Sequence, residues 1–189
     1  MSRETNLKSM FYTAYDASMI ASFLARVATK REQERRAMSE FLGEGTHFQS
    51  FQMAATPISL AVNVAKNTFT QKGDAAIGRW KAAIELARSL ENAELIPPMA
   101  VIFGSGLTAI VMPKGNNLSR AAEKTVPASL HDVAKALGQA GLILDDYPQV
   151  RELLGQPFII DWSDLSFLRD SSAKSESTRS TSSSLLGIN

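Results

Sequence analysis

The chain has no cysteine, so disulfides, zinc thiolate sites and thiol nucleophiles are excluded, and a reducing compartment is the natural expectation. Histidine is nearly as scarce: His47 stands in a loop-like stretch, His131 in a helical one, and neither follows a G-x-S-x-G elbow. His131 adjoins Asp132, but neighbours along a helix point in different directions, so they form no relay. The Gly-Ser-Gly run at 104–106 lacks the Lys-Ser/Thr that completes a phosphate-binding loop. An excess of one charge is also missing. Lys plus Arg number 20 and Asp plus Glu 19, a net +1, so no global field draws the chain to nucleic acid or anionic lipid. The N-terminal stretch has no continuous apolar segment of secretory type and no small-residue cleavage pattern, and the chain shows no internal repeat.

What is present is ordinary for a folded protein. With 189 residues, 44% hydrophobic and 21% charged, the chain suffices for one domain, or a domain with a helical appendage. One long run is free of charge: "LIPPMAVIFGSGLTAIVMP", residues 95–113. Its length approaches a membrane span, but a Gly-Ser-Gly centre between "MAVIF" and "LTAIVM" favours a β-hairpin, because glycine supplies the positive φ of a tight turn.

Leu7, Met10, Phe11, Ala14, Ala17, Ile20, Phe23, Leu24 and Val27 recur at three- and four-residue steps, which predicts a long helix running on to Gly43. "GEGTHFQSFQ" reads as a loop, "TPISLAVNVAKNTF" as a helix capped by Thr56, and "DAAIGRWKAAIELARSLEN" as a third helix with Trp80 on its apolar side. "KGNNLSRAAEKTVPA" is a polar connector. A helix is then expected from Ser129 and Asp132 through Leu130, Val133 and Leu137 to Gly141. A second helix, "YPQVRELL", is capped by Asp146, and "PFIID" is a strand. Serine fills eight of the fourteen residues from Ser171 to Ser184, too little apolar surface to repay ordering, so a flexible tail is expected.

Two resemblances bear on function. "ALGQAGLILDDYPQV" locally resembles the "AL…AG…DD.QV" run of Holliday-junction resolvases, whose chemistry needs carboxylates gathered around magnesium. Asp145 and Asp146 would supply two, with help from Asp132, Asp161 or Asp164. The upstream Asp-x-Asp-Asn element and lysine of those enzymes are missing; "TVPASLH" stands in their place. Over residues 95–162, the order of a hairpin ending in "IVMPKG", a helix with "KALGQAGLI", a second helix and the "FIIDW" strand is similar to the C-terminal hairpin and winged-helix region of large conjugative relaxases. No relaxase tyrosine motif or histidine cluster accompanies it. The resemblance implies a setting of plasmid transfer and no nicking activity.

Charge argues against a simple DNA-reading wing. Between residues 99 and 168 five bases (Lys114, Arg120, Lys124, Lys135, Arg151) meet seven acids (Glu123, Asp132, Asp145, Asp146, Glu152, Asp161, Asp164), a net −2. The expected fold is α+β: a helical region at 1–94, a hairpin plus winged-helix-like helix-helix-strand unit at 95–168, and a flexible tail at 169–189. The expected function is that of a non-catalytic accessory protein of a bacterial plasmid, which binds a protein of the DNA-transfer apparatus and inhibits conjugative transfer, with DNA as a further contact. The expected partner- or DNA-binding patch is Arg26, Lys30, Arg31, Arg35, Arg36, Gln149 and Arg151. No cofactor is expected. The alternatives are a magnesium-dependent nuclease using Asp145 and Asp146, and a DNA-binding plasmid regulator. The expected location is the cytoplasm, with weak or indirect association with the inner membrane as the alternative.

Overall fold

The computed structural model describes residues 3–66, 71–89, 95–144, 148–162 and 165–167. Helices α1 (Arg3–Ala14) and α2 (Ala17–Ala28) carry the apolar stripe foreseen for one long helix. Leu7, Phe11, Ala14, Ile20, Phe23, Leu24 and Val27 are buried in one cluster. The helix is nonetheless interrupted at Asp16, whose extended backbone lets its carboxylate accept from the Ser18 and Met19 N–H groups at 2.8 and 3.1 Å. A side chain that caps a fresh start competes with helix continuation, and here the cap prevails. After Thr29 only a five-residue helix, α3 (Glu32–Arg36), remains. Gly43, expected as the helix stop, lies in a strand.

Residues 41–66, expected as loop and helix, form the three strands β1 (Phe41–Glu44), β2 (Phe48–Met53) and β3 (Leu60–Ala65). On β3, Leu60, Val62 and Val64 pack toward α1 and α2, while Ala61 and Ala65 pack on the opposite face. A strand covered on both sides has apolar residues at nearly every position, and this near-continuous run satisfies a helical spacing as well as an alternating one. The region 1–94 is therefore not purely helical.

The hairpin foreseen in the charge-free run is present as β4 (Ala100–Gly104) and β5 (Leu107–Pro113). Its turn residues Ser105 and Gly106 have φ of 52° and 75°, the doubly positive geometry that suits twisted strands. Because β5 also pairs with β3, sequence on both sides of residue 94 builds one antiparallel sheet of order β1-β2-β3-β5-β4. Its one face packs on α1 and α2; the other receives Ile77, Trp80 and Ile84 of α4 (Gln71–Ser89), which meet Phe48, Ile110 and Met112. No helix among the described residues is long and apolar enough to cross a membrane.

Helix α5 runs from Arg120 to Gln139, ten residues earlier than the apolar pattern after Ser129 suggests. Ser119 caps it by accepting from the Ala122 N–H at 3.2 Å, and Pro127 lies inside it. Ala122, Val126, Val133 and Leu137 are buried along one side, with Leu130 packed between them. Burial along that continuous face outweighs the hydrogen bond that proline removes. Gly141, with φ of 74°, follows its end as foreseen.

The expected second helix is a strand. Residues Val150–Leu153 form β7, paired with β8 (Gln156–Ile159) through a Leu154–Gly155 turn whose φ values are 56° and 76°. Gly155 thus closes a hairpin and does not stop a helix. β6 (Leu142–Leu144) pairs with β9 (Leu165–Phe167). The class is α+β, and the helix-helix-strand unit is corrected to one helix followed by short strand pairs. Asp145, Asp146, Asp164 and the serine-rich stretch lie outside the described residues.

Candidate binding cleft

Ser50 and Asn63 stand opposite one another on β2 and β3. The Ser50 hydroxyl donates to Asn63 Oδ1 at 2.6 Å, and Asn63 Nδ2 donates to the Ile110 carbonyl on β5 at 3.3 Å. Asparagine is depleted from strands, yet this one is buried on the central strand of the sheet. The pair forms part of the floor of a cleft of about 790 Å³, in the range of roughly 300–1,000 Å³ usual for small-ligand sites. Phe48, Trp80, Met112 and Ile160 supply its apolar lining, with Phe48 and Trp80 edge to face at 5.4 Å between centroids.

One wall is the segment leaving β5, Pro113 to Asn117, together with Gln149 and Arg151. It is held in several ways. Lys114 donates its backbone N–H to the Ser59 carbonyl at 2.9 Å and its Nζ to Gln52 Oε1 at 2.7 Å. Asn116 and Glu152 exchange both backbone hydrogen bonds, at 2.8 and 3.0 Å. Arg151 Nη1 donates to Asn117 Oδ1 at 2.6 Å. Gly115 fits because it has no side chain: a Cβ there would lie 2.5 Å from Arg151 Cβ and 2.8 Å from Phe158 Cζ. Beyond the wall, the Ser119 N–H and hydroxyl donate to Glu152 and hold its carboxyl below the ordinary carboxylate range.

The facing wall is β1 and its turn, Leu42 to His47. Glu44, itself part of this wall, is bonded to Arg36 at 2.6 Å, accepts from Gln49 Nε2 at 3.0 Å and lies 3.3 Å from Lys66. Arg36 first, then Gln49 and Lys66, bring its carboxyl down to about 2.

The expected patch is divided by the fold. Gln149 and Arg151 line the cleft, whereas the five cations of the N-terminal segment lie at the α2–α3 junction, chiefly in internal roles. Arg26 is paired with Glu40, holding that carboxyl below its usual range, and Arg36 is paired with Glu44 and Glu32. Arg35 Nε donates to the Val27 and Lys30 carbonyls at 3.1 Å, while among the described residues Arg31 donates only its backbone N–H, to Glu34 at 2.6 Å. Only Arg36 reaches the cleft wall, through Glu44. Of the acids named for a metal, Asp161 lines the cleft and Asp132 is exposed on α5. Among the described residues no three His, Asp or Glu side chains are grouped to hold a metal ion.

Sequence reasoning missed Ser50, Asn63, Lys114, Asn116 and Asn117. The available signals were an asparagine inside the apolar run "LAVNVA" and the amide pair in "PKGNN". No protein-family model matches the chain, and comparison with curated proteins finds no match.

Proposed function

We propose that this protein works by binding, as a non-catalytic accessory protein of a bacterial plasmid that engages a protein of the DNA-transfer apparatus and inhibits conjugative transfer. The plasmid setting rests on the likeness in sequence of residues 95–162 to the C-terminal hairpin and winged-helix region of conjugative relaxases, although the second helix of that pattern is the strand β7 here. The observation that carries binding is the cleft: its walls are pinned by hydrogen bonds from several elements, so a polar surface is presented with little left to order on association.

DNA contact belongs to this proposal in a minor part. Tight duplex binding uses roughly 6–10 phosphate contacts, whereas Arg26, Arg35 and Arg36 are committed to carboxylates or backbone carbonyls.

Expression in a plasmid-bearing donor is expected to lower transfer frequency, and a pull-down from that donor to recover a transfer protein. Unchanged transfer frequency at confirmed expression overturns this reading.

A further inference from the structure

We infer that the cleft receives an acidic peptide segment of a partner protein, with a carboxylate seated on Lys114 and Arg151 and a neighbouring apolar side chain against Ile160. The inference deepens the binding reading above and rests on it for the partner being a protein. It begins from how each charge along the cleft is satisfied. Lys114 and Arg151 are bonded to the neutral amides of Gln52 and Asn117, and neither forms an ion pair among the described residues. Such contacts fix a cation in place but leave its charge uncompensated. On the facing wall Glu44 is compensated twice, by Arg36 and Lys66, so among the described residues Lys114 and Arg151 outnumber the one further acid lining the cleft, Asp161. The charge still to be matched in the cleft is therefore positive.

The two cations belong to one wall. Gly115, next to Lys114, packs so closely on Arg151 that a Cβ there would lie 2.5 Å from Arg151 Cβ. The Nη1 bond to Asn117 Oδ1 already orients the Arg151 fork, which limits the entropy lost when it binds a carboxylate. Gln149 and Asn116, on the same wall, offer amide groups suited to a peptide main chain. The apolar lining then favours a peptide over nucleic acid. Trp80 and Met112, 2% and 1% exposed, present no face for stacking a base, while the half-buried Ile160 suits an aliphatic side chain.

The test uses fluorescence anisotropy on the full chain with four labelled probes: a short peptide of alternating leucine and glutamate, its glutamine and lysine counterparts, and an oligothymidylate of similar length. The glutamate peptide is expected to bind about tenfold more tightly than the glutamine peptide. Replacing Lys114→Met together with Arg151→Met should reduce that preference to under about twofold. If the double variant does not fold, amide chemical-shift mapping on the wild-type protein decides, with shifts expected at Asn63, Lys114 and Arg151. Equal binding of the glutamate and glutamine peptides, tighter binding of the oligothymidylate, shifts confined to other regions, or no peptide binding up to about 1 mM each overturns the inference.

Failure here is distinguishable from failure of the plasmid reading. Wild-type and double-variant proteins that lower transfer equally leave that reading standing and remove the cleft from it. Peptide binding without any effect on transfer does the reverse.

Discussion

Glu152 on β7 and Ser119 at the start of α5 are joined twice: one carboxylate oxygen accepts from the serine N–H at 2.9 Å and from its hydroxyl at 2.7 Å. The same hydroxyl oxygen accepts from the Ala122 N–H at 3.2 Å, so the cap of α5 is also its tether to β7. Ser119→Ala should cost about 1 kcal/mol as a lost cap. A double-mutant cycle with Glu152→Gln should show coupling of about 0.5–1 kcal/mol, because each substitution removes part of the other's partner. Urea unfolding measures both; strict additivity contradicts the tether.

Gly115 tests how tightly the cleft wall is packed. Gly115→Ala would force a Cβ within 3 Å of the Arg151 and Phe158 side chains and should destabilise by about 1–3 kcal/mol. Gly45→Ala, on the facing wall, meets nothing within 4 Å and should stay within about 0.5 kcal/mol of wild type. Similar midpoints for the two variants in denaturant would show that the close approach is not maintained in solution.

The pH dependence follows from Glu44, whose carboxyl falls from an ordinary 4.5 to about 2 in the folded protein. A folded-state pKa below the unfolded one stabilises above the unfolded value, and the stability is lost as pH falls through the folded one. Wild-type melting temperature should therefore decline between pH 4.5 and 2, and part of that decline should vanish in Glu44→Gln. Parallel melting curves for the two proteins across that interval count against the Arg36–Glu44 pairing.

Arg35 separates structure from DNA binding at the α2–α3 junction. Its Nε donates to the Val27 and Lys30 carbonyls, near the end of α2, so Arg35→Ala should cost about 1–3 kcal/mol. A loss of DNA retention at full stability would return this residue to the role of a phosphate contact.

Much of the framework was open to direct reading. The burial of Leu7, Phe11, Ile20, Leu24 and Val27, the turn at Ser105–Gly106 and the end of α5 before Gly141 all rest on residues within a few positions of each other. Each depends on local rules: a helical stripe, a residue at positive φ, a cap. The wrong assignments share another cause. "LAVNVA" and "QVREL" become strands because distant segments cover or pair with them, β2 and β5 in the first case, Asn116 and β8 in the second.

The cleft lies beyond any local rule. Asn63 meets Ser50 and Ile110 across 13 and 47 residues, and Arg151 meets Asn117 across 34. Composition alone already ruled out thiol chemistry and a strong global field, and periodicity marked the apolar faces. Which polar groups those faces would enclose was settled by strand order and by the Gly115 contact. Hydrogen bonds act over about 3 Å of space, and only the folded chain brings such separated residues that close.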